Sequence, residues 1–453
     1  MMQRSELLRW LREADERRLE SLWARADAVR REHVGDAVHL RGLIEISNHC
    51  VRRCAYCGLR AENTRLERYR MTAEEVLACA RQAAELGYGT VVLQAGEDPA
   101  LSADWVADLV QRIKAVALNP PPSQGGLRPA RPTDSPPSQV ATGDSLRRGG
   151  VGGGSDRPKG GRYPGAVTDT ETTPPAGFET DAGLAVTLSL GEQDEATLRA
   201  WRDAGADRYL LRFETSNRAL FDRIHPPRPG RRSDRLALLR VLRDLDYEVG
   251  SGVMVGIPGQ TYDDLADDIE LFRALDLDMI GVGPWLPHPD TPLGAGSEGI
   301  GAKGSSKGAD ESALDTLPPR PLDPSLRQVP NTELMTYKVV ALARLVCPRA
   351  NIPSTTALAT LNRDSGRELG LQRGANVVMP NLTPPKYRRL YEIYPAKACL
   401  HEEPGRFHAD LVRRIRALGR TVGTGAGRSR NWAVRMKKGA RAGCPVPDRD
   451  GQK

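Results

Sequence analysis

The apolar positions of this chain switch between two periods. From residue 4 to 33, Leu7, Leu8, Leu11, Leu19, Leu22, Ala26 and Val29 recur at helical spacing. That predicts an amphipathic N-terminal helical extension over 1–37, packed under the body of the fold. From Val38 onward, short apolar runs alternate with amphipathic ones. Strands are predicted at 43–47, 90–94, 185–190, 209–214, 248–255, 279–282, 351–356 and 375–379. Helices are predicted at 72–86, 195–204, 236–245, 262–275 and 333–347. Eight βα units in series imply an α/β fold, a (β/α)8 TIM-type barrel, whose reactive groups gather at the C-terminal ends of the strands.

Two stretches break the rhythm. Residues 119–181 and 295–330 are rich in Pro, Gly, Ser and Thr and carry almost no apolar periodicity. Neither can bury enough surface to offset chain entropy, so both are expected to be disordered insertions in barrel loops. One barrel domain over 38–425 follows, with 426–453 as a basic, flexible tail.

Composition narrows the class. Seven Cys in 453 residues are too few for a disulfide scaffold, and three of them cluster, which suggests a metal site in a reducing compartment. The N-terminus lacks an apolar h-region and no run approaches about 18 apolar residues, so a cytoplasmic protein is expected, neither secreted nor membrane-spanning. The formal charge of +7 comes from scattered Arg and the tail, and there are only five Phe. Without basic–aromatic interleaving, this reads as a solvated basic surface and not as a nucleic-acid partner.

The candidate chemistry lies just after the first strand, in Asn48-His49-Cys50-Val51-Arg52-Arg53-Cys54-Ala55-Tyr56-Cys57-Gly58. Three thiolates, from Cys50, Cys54 and Cys57, can hold three irons of one 4Fe–4S cluster and leave the fourth open, because full ligation takes four Cys. An open iron can chelate the amino-acid end of S-adenosyl-L-methionine and pass it an electron, so that the cofactor carries the difficult chemistry. Zinc is the competing occupant, but zinc usually takes four ligands in paired spacings.

This spacing, with an aromatic residue before the last Cys, resembles the signature of the radical-SAM superfamily. Further runs resemble one branch of it, the FeFe-hydrogenase maturases of the HydE type, related to biotin synthase and methylornithine synthase. They include Arg68-Tyr69-Arg70-Met71-Thr72, Val92-Leu93-Gln94-Ala95-Gly96-Glu97-Asp98-Pro99 and Val186-Thr187-Leu188-Ser189-Leu190-Gly191-Glu192. Met254-Val255-Gly256-Ile257-Pro258-Gly259-Gln260-Thr261 and Gly374-Ala375-Asn376-Val377-Val378-Met379-Pro380-Asn381 continue the match.

The resemblance implies roles residue by residue. Ala95, Gly96 and Glu97 stand where the family binds the methionine ammonium, with Ala95 in place of a hydroxyl residue. Arg212 and Glu214, joined by Arg235, would meet the carboxylate and ribose of the cofactor. Two apart on a predicted strand, Arg212 and Glu214 would share a face, and buried charges there would need a partner or a ligand. Tyr56 would line the adenine pocket and Gly256-Ile257-Pro258-Gly259 the base edge. Thr187, Met279, Thr355, Thr356 and Tyr391 match positions that line the inner cavity. Of a second Cys-x7-Cys-x2-Cys cluster site only Cys399 remains, with Phe407 and Asp410 in the other places. No second cluster is therefore expected, and Cys79, Cys347 and Cys399 read as packing thiols.

The implied activity is reductive cleavage of S-adenosylmethionine to a 5′-deoxyadenosyl radical, acting in assembly of the di-iron site of the hydrogenase H-cluster. The implied partners are a small iron-complex substrate, the other hydrogenase maturases, and a low-potential electron donor such as ferredoxin or flavodoxin. A mutase or sulfur-inserting enzyme of the methylornithine synthase or biotin synthase type competes within the superfamily. An iron–sulfur scaffold without radical activity competes from another class. The scaffold needs only the three Cys, and the presence of Gly96, Glu97, Arg212 and Glu214 favours an enzyme.

Overall fold

The computed structural model describes residues 2–116, 183–228, 230, 232–295 and 328–441. Its strands are β1 (Ala37–Ser47), β2 (Thr90–Ala95), β3 (Ala185–Ser189), β4 (Arg208–Leu210), β5 (Glu248–Val255), β6 (Met279–Pro284), β7 (Val377–Val378) and β8 (Thr421–Gly423). They pair in parallel in the order β6-β5-β4-β3-β2-β1-β7, and β8 pairs with the start of β1. The curled sheet meets itself through an extended segment, where Asn351 bridges to Met279 and Pro353 to Val377. The strand expected over 351–356 is thus reduced to two bridges. Pro353 has no N–H for a ladder, and Thr355 already stands at the N-cap of the helix Thr356–Leu361.

Local sequence starts the helices where the barrel needs them. Thr72 and Glu75 form a reciprocal capping box before Ala73–Glu85, and Thr261 and Asp264 form another before Tyr262–Ala274. The N-terminal helices Arg4–Arg12 and Glu16–Val34 bury Leu7, Leu11, Leu19, Leu22, Trp23 and Ala26 and pack on the helix Glu333–Val346. Each such buried leucine contributes about 1.5–3 kcal/mol relative to exposure.

Two expectations need correction. The strand over 209–214 stops at Leu210, and Glu214 sits in the left-handed region at φ 63°. The tail past Gly425 is not loose over its described part. It threads beneath the barrel, where Ala426 O accepts from Arg208 Nη2 (2.6 Å) and Thr90 Oγ1 (2.9 Å), and Gly427 O from Arg41 Nη2 (3.1 Å). Arg428 then pairs with Asp207 (3.0 Å) and Glu248 (3.2 Å), and the helix Arg430–Arg441 carries Arg435 to Asp278. Its basic residues fold because buried acids at the barrel floor await them, which composition could not show. A Cβ on Gly427 would meet His39 Nδ1 at 2.7 Å, so the close passage needs glycine.

The expected insertions over 119–181 and 295–330 lie outside the described residues, apart from Ala295 and 328–330. Among the described residues no helix is long and apolar enough to cross a membrane.

Candidate cofactor and substrate cavity

At the C-terminal ends of the strands lies a cavity of about 330 Å³, and Cys50, Cys54 and Cys57 line it. The loop that carries them is fixed by backbone bonds to three other segments. Val51 N–H donates to Glu97 O (3.0 Å), Ala55 N–H to Ile224 O (2.9 Å) and Gly58 N–H to Ile393 O (3.1 Å). The Arg68 guanidinium spends its donors on the carbonyls of Asn48, Leu59, Arg60 and Asn63, closing the loop from behind. Two N–H groups, of Arg52 and Glu97, point at Cys50 Sγ from 3.4 Å, an arrangement that suits a thiolate. Burial pushes the Cys57 thiol up to about 12 and raises Cys50 and Cys54 as well. A coordinated metal reverses that preference by deprotonating the thiol outright. Among the described residues no three His, Cys, Asp or Glu side chains are drawn together as around a single ion. The thiols on one cavity wall fit the donor set of an iron–sulfur cluster.

Gly96 allows β2 to end against this loop. A Cβ there would lie 2.2 Å from His49 O and 2.7 Å from Cys50 Cβ. The Glu97 carboxylate is fully engaged in the wall. It pairs with Arg52 (2.8 Å) and Arg228 (3.3 Å) and accepts from Glu192 N–H (3.1 Å). Glu192 in turn holds Arg52 (2.6 Å), Arg235 (2.9 Å) and Ser233 Oγ (2.5 Å). Burial pushes Glu192 up, but Arg235, Ser233 and Arg52 outweigh it and leave the carboxyl below its usual range. Sequence reasoning assigned no role to Arg52, Glu192 or Ser233. The available signal was two charges, inside the Cys loop and at the end of a matching run, with nothing yet to pair with.

Arg212, Glu214 and Arg235 reach the same cavity, as do Tyr56 and Ala95. Arg212 Nη2 donates to Val253 O at 2.5 Å and stands 3.0 Å from Glu214 Oε2, out of hydrogen-bond alignment. Arg212 Nε and Glu214 Oε2 are buried with no hydrogen-bond partner among the described residues. An Arg and a Glu on the cavity wall, each with an atom that makes no hydrogen bond among the described residues, fit a ligand that carries a carboxylate and hydroxyls, as S-adenosylmethionine does. Arg235 is a brace: Nη1 donates to Arg212 O (2.6 Å) and Nε to Glu192. Tyr56 Oη meets His225 Nε2 at 3.0 Å and Glu214 Oε1 at 3.5 Å. Burial, then the Glu214 charge, raises the Tyr56 phenol and keeps it neutral. Met254 and Trp285 supply apolar wall, while the Gly256 and Ile257 N–H groups are taken by Gln260 Oε1.

Met279, Thr355, Thr356 and Tyr391 line the cavity further in. Thr187, expected with them, does not. Two residues before Ser189 on β3, it lies one layer below the cavity wall, fully buried, and its Oγ1 has no hydrogen-bond partner among the described residues. Lys397, Glu45 and Asn381 form an unexpected polar wall: Lys397 Nζ lies 2.5 Å from Glu45 Oε1, and Asn381 Nδ2 donates to Glu45 Oε2 (3.0 Å). Cys399 also lines the cavity and faces Asn381 Nδ2 at 3.5 Å, whereas Cys79 and Cys347 belong to the core.

Comparison with known proteins matches these features. The family model for the radical SAM superfamily covers residues 44–130 and 167–272. The [FeFe] hydrogenase maturase subunit HydE of Thermotoga maritima is 37% identical over 92% of this chain and 89% of its own. The crystal structure of methylornithine synthase superposes with a TM-score of 0.62 at 22% identity, covering 96% of each chain. The hydrogenase maturase HydG superposes with a TM-score of 0.60 at 15% identity over 92% of this chain and 72% of that one, which speaks for the fold alone. With its match to a maturase over nine-tenths of its length and its barrel opening on three cysteines, the chain belongs to the HydE family of [FeFe]-hydrogenase maturases, within the radical SAM superfamily of enzymes.

Proposed function

We propose that this protein reductively cleaves S-adenosylmethionine and acts in building the di-iron site of an [FeFe]-hydrogenase. One observation supports this above the others: the three thiols line the same cavity as Arg212 and Glu214, whose Nε and Oε2 make no hydrogen bond among the described residues. When bound to Cys50, Cys54 and Cys57, a 4Fe–4S cluster would supply the electron that splits the sulfonium.

The chain's own residues do the remaining work. Arg212 offers a guanidinium donor to the cofactor carboxylate, and Glu214 accepts from the ribose hydroxyls. Tyr56, held by His225, flanks the base with Met254 and Trp285. Arg235 and Glu192 keep Arg212 and the Cys loop in register, and Glu97 locks Arg52 behind Cys50. Met279, Thr355, Thr356 and Tyr391 bound the inner space for a small iron complex delivered by a partner maturase, with a low-potential ferredoxin or flavodoxin as electron donor.

The test is an anaerobic maturation mixture that lacks only this component. Adding the reconstituted protein should restore hydrogen evolution by apo-hydrogenase. Intact cofactor cleavage with no restored hydrogenase would move the substrate elsewhere in the superfamily.

A further inference from the structure

Glu214 occupies a backbone conformation that must be held from outside. Its φ is 63°, and Thr215 N–H donates back to Phe213 O at 2.8 Å, so Glu214 is the centre of a left-handed γ-turn. Such turns are rare, and a non-glycine residue there is strained. On the upstream side Ser251 Oγ ties the turn down, accepting from Phe213 N–H (3.2 Å) and donating to Leu211 O (2.8 Å). On the downstream side both donors of Ser216 converge on one atom, Asp268 Oδ1, with N–H at 2.5 Å and Oγ–H at 2.6 Å. Asn217 is gripped one turn earlier on the same helix, where its Nδ2 donates to Asp264 Oδ1 (2.9 Å).

We propose that Asp268 is a positioning residue for cofactor binding: its carboxylate, through the two Ser216 bonds, holds the strained turn that presents Glu214 and Arg212 to the cavity. This rests on the reading that Glu214 contacts the cofactor. Asp268 touches neither cofactor nor cluster and acts only through the backbone it anchors.

Its surroundings make the anchor dependent on charge. Asp268 is fully buried and Oδ2 has no partner among the described residues. The charged groups nearest on its helix are the acids Asp264 and Asp267, and the cations facing that helix, Arg4 and Arg12, are engaged with Asp263 and Asp267. Burial, opposed by the Ser216 bonds, pushes the carboxyl up to about 7. Ionised Asp268 accepts both bonds strongly. Protonated Asp268 accepts them weakly, because hydrogen bonds to charged groups are roughly twice as strong as neutral ones.

The experiment is titration of S-adenosylmethionine into anaerobically reconstituted wild-type, Asp268→Asn, Ser216→Ala and Glu214→Gln proteins. Binding is read by calorimetry and iron content by assay. At about pH 8.5 Asp268→Asn should bind roughly tenfold more weakly than wild type with its iron intact, and the ratio should shrink toward one at about pH 5.5, where both side chains are neutral. Taking the ratio at each pH cancels titration of the cofactor itself. A ratio near one at the higher pH, or equal ratios at both, overturns the proposal. If Asp268→Asn cannot hold its cluster, Ser216→Ala decides: about three- to tenfold weaker binding supports the proposal and wild-type binding overturns it. Wild-type affinity in Glu214→Gln would instead overturn the assignment of Glu214 on which the proposal stands.

Discussion

Arg52 Nε and Glu97 Oε2 stand 2.8 Å apart, both nearly buried, and the same guanidinium reaches Glu192 Oε2 at 2.6 Å. One cation thus ties the Cys loop to the ends of β2 and β3. Breaking a buried pair strands a charge and costs about 3–5 kcal/mol, reduced here because Glu192 remains. Glu97→Gln should therefore lower the melting temperature and reduce the iron retained per chain. Unchanged melting and full iron would show that the pair does not organise the loop.

Gly191 has φ +81°, and a Cβ on it would meet Glu97 Cβ and Cγ at 2.9 Å. Gly35 has a similar φ, +75°, with open space around it. Replacing either by Ala should cost about 1 kcal/mol of backbone strain. Only Gly191→Ala should go further and loosen the cluster loop by displacing Glu97. Equal losses, with equal iron retention, would contradict this.

Truncation after Gly425 tests the barrel floor. It removes the carbonyl partners of Arg41 and Arg208 and one of the cations that face Glu248. Leaving such buried groups unsatisfied should cost about 3 kcal/mol or more, visible as an earlier urea transition. A truncated protein as stable as the full chain would mean that the segment only rests against the floor.

Much of this arrangement was legible in the chain. Period-2 runs against helical ones located β1 to β6, and the Cys spacing located the loop on the cavity. Other parts depend on distant segments. Pro353 hides the closing strand, because a two-bridge contact leaves no alternation to read. Glu214 lies on the cavity as expected, but through a left-handed turn anchored by Ser251 and Asp268 and not through a pleat. Thr187, expected on the cavity from the resemblance alone, sits one layer below its wall, a depth along the barrel that strand pattern does not give. The 426–441 segment looked loose because its acids, Asp207, Glu248 and Asp278, lie about 150 to 220 residues away in sequence.

Reconstitution should give about four irons per chain, as one cube held by three Cys implies. Cys399→Ala should keep them. Close to eight irons, or loss of iron with Cys399, would mean a second metal site on the cavity wall.

The most direct test of the central claim is the yield of 5′-deoxyadenosine from the reconstituted, dithionite-reduced protein given S-adenosylmethionine, with Cys54→Ala and Glu214→Gln beside it. Product should form with the wild type and not with Cys54→Ala. Glu214→Gln should need roughly ten- to hundredfold more cofactor for half-maximal rate while its cluster spectrum is unchanged. A wild type that holds four irons yet forms no 5′-deoxyadenosine, or a Glu214→Gln protein that matches it at every cofactor concentration, would contradict the account.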